Sequence, residues 1–423
     1  MVLGLKSVPA EDKSCLAGYS RIIYMIRVCT RIVGADVIDP NYRLTWVTYI
    51  IISLLTNFFL CTFYSMYVGY KSSGDFTVIL QVICFVGAGV QATVKLICFI
   101  NYPDTLRVSQ IFLHETYKKY EKFEGQYTVV LQRSLDMTRM IIKAIACMYI
   151  MIAISLIFFP LVYYIVQKKK ILIMQFLVPG LDPYSNHGFF LLTCLHASCL
   201  CLGAFGNFSS DMYILIFIGN VSLVKNILRC KLNDLNVRLE QGAEPAEVRY
   251  AMQDIVRWHM EYLKQLKYEV KIHDITNSKN CCELTNSFSI SSMLDRMQLI
   301  CFWIIIAMVG CNAMSILATM YCHLNGIWPA ASFLLIFSFM NLYLYCGLGT
   351  MVDTANEDCV DVIYTECRWY DLPVVEQRFI LLMLRKAQNT SSLNIGSMMP
   401  LTVNTALQLT KTVYSLVMVL MRE

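Results

Sequence analysis

The chain has 423 residues, of which 57% are hydrophobic and only 15% are charged, and its mean hydropathy is +0.53. Soluble globular domains contain about 25% charged residues, so this composition excludes an ordinary soluble protein. The net charge of +5 comes from basic residues in the loops between apolar stretches and gives no reason to expect a nucleic-acid partner.

Six long uncharged runs predict membrane-spanning helices. In chain order they are residues 44–70, 76–94, 144–167, 184–210, 297–322 and 324–352. Each reaches the roughly 18–20 apolar residues that a helix needs to cross a bilayer. A seventh run, 401–421, carries an internal charge at Lys411 and is weaker by hydropathy. The predicted fold class is an all-α integral membrane protein with seven transmembrane helices.

These runs divide the chain into membrane segments and loops. We expect a cytosolic N-terminal segment (1–43), spans one to four (44–223), a cytosolic helical loop (224–291), spans five and six (292–352), a cytosolic elbow and anchor helix (353–400) and a last span (401–423). Residues 15–33 mix apolar and basic side chains, as in an amphipathic helix at the inner membrane surface or a cytosolic helix packed on its neighbours. In the long loop, Ile255, Trp258, Tyr262 and Leu266 recur at helical spacing and predict a helix that needs a packing partner.

The distribution of lysine and arginine predicts the orientation of the spans. Six basic residues precede the first span and ten lie in the loop 224–291, whereas the fifth loop has none. Because cytoplasmic loops carry the excess of basic residues, the N-terminus is expected inside and the C-terminus outside. The triplet Lys168 to Lys170 is the exception to this scheme.

Few residues suggest chemistry. The sequence has no phosphate-binding glycine loop, no zinc-binding His-Glu-x-x-His helix and no Gly-x-Ser-x-Gly elbow, so we expect no enzyme, metal or cofactor. Asp211, near the end of the fourth run, is either a functional charge within the membrane or an acid at the inner interface, and the interface is favoured.

The C-terminal region carries the most specific pattern. It contains an aromatic and acidic elbow (363–373), a short apolar helix from Phe379 to Arg385, and a last span with Tyr414-Ser415 near its end. This pattern resembles the C-terminal region of the insect odorant receptors. In that family the last helix of each of four subunits lines a cation pore narrowed by apolar side chains. The resemblance places that gate at Val417 and Met421.

The last span has two different faces. Asn404, Gln408, Lys411, Thr412, Ser415 and Arg422 form a polar stripe, of which Asn404, Gln408, Lys411 and Ser415 are the pore-facing candidates. Such a stripe must face protein or water, so it either lines an ion path or packs against neighbouring helices. At 100° per residue the stripe and the predicted gate cannot both point straight down one axis, and the sequence does not decide the rotation.

The outer halves of spans two to six are rich in Phe, Tyr, Met and small residues. Such surfaces suit a small, neutral volatile ligand held by apolar packing. The resemblance implies that the ligand site lies there. The candidate lining residues are Leu80, Ile83, Cys84, Ser155, Phe158, Phe159, Leu191, Cys194, Ala197, Met314 and Phe333.

The function implied by the resemblance is an odorant-gated, non-selective cation channel subunit. It would be the odour-tuning subunit, assembled with the shared co-receptor into a heterotetramer in the plasma membrane of an olfactory sensory neuron dendrite. A gustatory receptor of the same superfamily is the nearest alternative, although the Tyr414-Ser415 ending departs from the expected signature. A metabotropic seven-helix receptor and a solute transporter are the alternatives of another class. The expected topology, with the N-terminus inside, is the reverse of that of a G-protein-coupled receptor and disfavours the metabotropic receptor. No repeat between the two halves of the chain supports the transporter.

Overall fold

The computed structural model describes residues 14–73, 76–174, 176–183, 185–266, 288–388, 393–396 and 398–422. These residues form α-helices joined by short loops and one small hairpin. The helices are α1 (Cys15–Ile32), α2 (Trp46–Ser73), α3 (Phe76–Asn101), α4 (Pro103–Tyr120), α5 (Gln126–Gln167), α6 (Asn186–Gly219), α7 (Val221–Glu240), α8 (Pro245–Leu266), α9 (Phe288–Leu324), α10 (Ala331–Asp361), α11 (Val374–Gln388) and α12 (Val403–Leu420). The predicted all-α fold class is confirmed.

Within the described part of the chain, six segments are long and apolar enough to cross a membrane. They are Trp46–Lys71, Ile79–Asn101, Gln126–Gln167, Asn186–Glu240, Phe302–Leu324 and Ala331–Glu366. The 42 residues of α5 would measure about 63 Å, whereas the hydrocarbon core of a bilayer is about 30 Å thick, so α5 extends beyond the membrane. The helix α12, with 18 residues and a polar stripe, is not among the six, so the seventh span stays a prediction.

Local sequence explains where several helices begin. Ser14, Ser185 and Thr402 precede α1, α6 and α12, and each side-chain oxygen accepts a hydrogen bond from a backbone N–H of the first turn. Pro103 opens α4, where its missing N–H costs nothing. The fourth span does not run on unbroken. It pauses at Asn220, whose amide donates to the Ile216 carbonyl at 2.7 Å, and then continues as α7.

One end of the molecule is a bundle of shorter helices, of 15 to 22 residues each. We call this bundle, formed by α1, α4, α7, α8 and α11 with the adjoining ends of α5, α6 and α10, the helical base. Its core includes Tyr19 and Ile23 of α1 and Ile255 and Trp258 of α8. The indole N–H of Trp258 donates to the Val224 carbonyl at 3.0 Å. The α1 helix is therefore packed on its neighbours. The predicted apolar face of α8 packs against α7 in the same core.

Part of the predicted loop 224–291 lies outside the described residues. Residues 267–287 lie outside the described residues, and the side chains of Tyr262 and Leu266 are not described although both residues belong to α8.

The elbow after α10 is fastened to α7. The last turn of α10 widens into a π-helical turn (Val362–Glu366), and a 3-10 turn (Trp369–Asp371) leads to α11. Arg229 binds Glu366 at 2.5 Å and Arg368 binds Glu240 at 2.8 Å. These ion pairs are partly exposed, so each one contributes little alone, but together they set the direction of the chain. A two-stranded antiparallel hairpin, Asn394–Ile395 with Met399–Pro400, then leads into α12.

Candidate functional site

A cavity of about 180 Å³ lies between the helices. Its walls come from α2, α3, α5, α6, α9 and α10, together with the end of α1. Most of the lining is apolar, including Leu54, Phe58, Phe85, Ile152, Leu156 and Phe337. A buried apolar space with a few polar groups is the usual form of a small-molecule site.

Glycines allow the helices around the cavity to approach closely. A Cβ atom on Gly87 of α3 would lie 2.9 Å from the Cys311 carbonyl oxygen of α9. One turn further along α3, the Gln91 amide nitrogen donates to Asn312 Oδ1 of α9 at 3.2 Å. Both amides line the cavity. The tight packing at Gly87 therefore positions a pair of amides in an otherwise apolar wall.

The end of the cavity towards the helical base meets a buried group of charges, which we call the Asp211 cluster. It consists of Lys95, Tyr149, Asn207, Asp211 and Tyr345 from four helices. The Lys95 ammonium lies 2.5 Å from the Asp211 carboxylate and also donates to Asn207 Oδ1 at 3.3 Å. The hydroxyls of Tyr149, at 2.7 Å, and Tyr345 donate to the same carboxylate.

Both charges of this cluster are almost fully removed from solvent, because the Lys95 and Asp211 side chains are 2% and 0% exposed. A buried charge is tolerated only when it is paired and hydrogen-bonded, as it is here. Asp211 thus lies in the protein interior, and its depth relative to the inner membrane interface stays a prediction. The predicted second span ends at residue 94, directly before Lys95, because a charged residue lowers hydropathy, and so the sequence pattern does not identify Lys95 as part of a site.

The candidate ligand residues fall into three groups. Cys84 lines the cavity. Leu80, Ile83, Phe159, Ala197 and Phe333 pack against the apolar cluster that surrounds Trp328 next to the cavity. Phe158, Leu191, Cys194 and Met314 lie on the outer surface of the helical body, and Ser155 donates to the Met151 carbonyl of its own helix.

The cavity is also lined by residues that the sequence did not predict. They include Phe58, Gln91, Tyr149, Asn207 and Asn312. The helix α2, which corresponds to the first predicted span, supplies Phe58 to the cavity wall. Gln91, Asn207 and Asn312 are polar residues within apolar runs, and such residues in a membrane helix usually face protein. That pattern could have identified them.

The last helix is seated on α9 and α10 with a defined rotation. Its buried residues are Thr405, Ala406, Val413 and Val417. The contact with α10 is very close, because a Cβ on Gly349 would lie 1.8 Å from the Leu401 carbonyl oxygen. The pore-facing candidates Asn404, Gln408, Lys411 and Ser415 are all exposed on the opposite side.

The two predicted gate residues differ in this arrangement. Val417 is fully buried against its own subunit, whereas Met421 is 40% exposed. The polar stripe, not Val417, therefore faces away from the subunit.

Comparison with known proteins identifies the family. A family model described as the 7tm odorant receptor matches residues 75–414 of this chain. The chain belongs to the odorant receptor family. The family resemblance of the C-terminal region is thereby confirmed, and the protein is a multi-pass receptor of the plasma membrane, not an enzyme.

The similarity to known relatives extends over nearly the whole length of this odorant receptor. The putative odorant receptor 83c of Drosophila melanogaster is 23% identical over 416 residues, which cover 94% of this chain and 96% of the relative. The structure of the insect olfactory receptor OR5 from Machilis hrabei in complex with eugenol has a TM-score of 0.72 and covers 95% of this chain and 98% of its own, at 13% identity. A second OR5 structure has a TM-score of 0.71 with 96% and 98% coverage, also at 13% identity. At this identity the likeness shows a shared fold.

Proposed function

We propose that this odorant receptor is the odour-tuning subunit of an odorant-gated, non-selective cation channel, assembled with the co-receptor into a heterotetramer. The exposed polar stripe of α12 is the observation that carries the proposal. Asn404, Gln408, Lys411 and Ser415 would face hydrocarbon if one subunit stood alone in a bilayer, which is costly for amide and charged groups. Water in a pore shared between subunits removes that cost.

The ligand is proposed to bind in the cavity between α2, α3, α5, α6, α9 and α10. OR5, which shares this fold, was solved in complex with eugenol, so the fold accommodates a small molecule. The Asp211 carboxylate already accepts from Lys95, Tyr149 and Tyr345, so its charge is satisfied within the protein. Both the satisfied charges and the apolar walls favour a neutral ligand with a mainly apolar body.

The channel function is tested by recording from cells that express this chain with the co-receptor while G-protein signalling is blocked. We expect an odorant-evoked cation current in these cells while G-protein signalling is blocked. Cells that express the co-receptor without this chain should show none. Current that disappears when G proteins are blocked would contradict the channel and favour a metabotropic receptor.

The position of the ligand is tested by two variants that treat the cavity and the surface differently. Ala153→Leu fills space in the cavity wall and is expected to reduce odorant sensitivity by about tenfold or more, because overpacking costs roughly 1–3 kcal/mol. Phe158→Ala removes a ring that is 55% exposed on the outer surface and is the matched control. A large effect of Phe158→Ala with none of Ala153→Leu would move the ligand to the outer surface of the helices.

A further inference from the structure

One polar atom in the cavity wall has no partner. Asn312 is 3% exposed, and its Oδ1 accepts from the Gln91 amide at 3.2 Å. No group among the described residues accepts a hydrogen bond from its Nδ2, which is fully buried. Leaving such a donor unpaired costs roughly 1–3 kcal/mol, so Asn312 is an unusual residue for a wall made mainly of Leu, Phe and Ala.

Several other polar groups that line the cavity are bonded within the protein. Ser209 and Ser210 donate to the Gly206 carbonyl at 3.2 and 2.8 Å. Ser315 donates to the Cys84 carbonyl at 3.2 Å, and Asn207 accepts from Lys95. Among the described residues that line the cavity, Asn312 is thus the one with a fully buried side-chain polar atom that has no hydrogen-bond partner.

We propose that Asn312 donates a hydrogen bond from Nδ2 to a carbonyl oxygen of the odorant, so that the receptor is tuned to small ketones, aldehydes or esters with an apolar body. This inference rests on the proposed binding of odorants in the cavity. An N–H donor selects an oxygen acceptor, while the apolar walls select the hydrocarbon part of the molecule. Gln91 holds the Asn312 amide in place from α3 and is a positioning residue.

The charges near the cavity agree with a neutral carbonyl ligand. A carboxylate ligand would need a free cation, but Lys95 already pairs with Asp211. An amine ligand would need a free carboxylate, but Asp211 already accepts three hydrogen bonds. A pure hydrocarbon would fill the cavity yet leave Asn312 unpaired.

The test uses pairs of ligands that have the same shape and differ only in the acceptor. Acetophenone and α-methylstyrene form one pair, and 2-heptanone and 2-methyl-1-heptene form another, because a C=CH2 group replaces C=O in each. Binding is measured as the ligand-induced rise in melting temperature of the full-length receptor purified with the co-receptor. Odorant-evoked current is recorded separately in cells.

We expect the ketone of each pair to bind about five- to tenfold more tightly than its alkene, which is the contribution of about one good hydrogen bond. Asn312→Leu should reduce that ratio to about one by weakening ketone binding. Asn341→Leu is the matched control, since Asn341 is also buried, with an unpaired Oδ1, but does not line the cavity. It should leave the ratio unchanged.

Three results overturn the inference: equal binding of ketone and alkene by the wild-type receptor, no binding of either ketone, or an unchanged ratio in Asn312→Leu. The wild-type comparison needs no variant, so the inference stays testable if Asn312→Leu does not fold. Selective ketone binding without any evoked current would uphold the role of Asn312 and contradict the proposed channel function instead.

Discussion

At the residue scale, the Lys95 and Asp211 pair is the most consequential feature of the interior. Removing one member of a buried ion pair leaves an uncompensated charge and costs about 3–5 kcal/mol, whereas removing both charges together can cost far less. We therefore expect Lys95→Met and Asp211→Leu each to lower the melting temperature and surface expression strongly. The double variant should be more stable than either single one.

The measurement is a double-mutant cycle on the receptor in detergent, with surface labelling in cells as a second readout. Lys143→Met, which replaces an exposed lysine on a different helix, α5, serves as the control and should have little effect. If the loss of stability in the double variant equals the sum of the losses in the two single variants, the two charges are not coupled.

His259 of α8 gives the helical base a pH dependence. Burial lowers the pKa of His259 to about 4, against about 6.5 in an unfolded chain. Between these two values the unfolded chain binds a proton that the folded chain does not, so stability is complete above about pH 6.5 and falls as the pH drops towards 4. The free energy of unfolding should be about 1 kcal/mol lower at pH 5.5 than at pH 7.

His259→Leu should remove this part of the pH dependence, and thermal unfolding at both pH values checks it. His187→Leu changes an exposed histidine at the start of α6 and is the matched control. A pH dependence that persists unaltered in His259→Leu would show that other groups of the base cause it.

At the element scale, the rotation of α12 decides which residues can form the gate. Val417 shares its buried face with Ala406 and Val413, so Val417→Ser should destabilise the packing on α9 and α10 by about 2 kcal/mol without raising basal current. Met421→Ser and Gln408→Ala change exposed side chains and should alter basal current or ion selectivity. A narrow apolar ring conducts only when it is widened or wetted, so Met421→Ser should raise basal current.

Whole-cell recording of basal current and permeability ratios, normalised to surface expression, distinguishes these outcomes. Increased basal current in Val417→Ser at normal expression would show that α12 turns on assembly and brings Val417 to the pore.

The sequence alone predicts the position of these helices better than it predicts which of their faces line the cavity. Apolar runs predict six spans because a bilayer imposes a minimum length, and the spacing of Ile255 and Trp258 predicts the buried face of α8. Which face of a span lines the cavity cannot be read in the same way. A helix such as α5 is apolar all round, so Ser155 and Phe158 could be assigned to the ligand as readily as Tyr149. The role of Lys95 depends on Asp211, 116 residues away, which no local pattern contains.

At the scale of the whole molecule, the elements expected on the cytosolic side pack into one base at one end. The base contains α1, the anchor helix α11, and the helices α7 and α8, which lie mostly within the predicted loop 224–291. Since basic residues concentrate in these segments, we expect the N-terminus inside and the C-terminus outside. Epitope tags on each end of the receptor in intact cells test this orientation. Surface labelling of the C-terminal tag alone is expected, and labelling of the N-terminal tag alone would reverse it.

The Lys95 and Asp211 pair also sets a condition on how the receptor is made. Ribosomes add about 5–20 residues per second, so α3 leaves the ribosome roughly ten seconds before the segment that holds Asp211. During that interval the lysine must enter the membrane without its carboxylate, at a cost that would reach about 2.5–3.5 kcal/mol for a charge at the middle of a span. The apolar residues on both sides of Lys95 have to outweigh that cost, or α3 must wait beside the translocon until α6 arrives. The charge of Lys95 therefore stays unpaired until the fourth span brings Asp211 into the membrane.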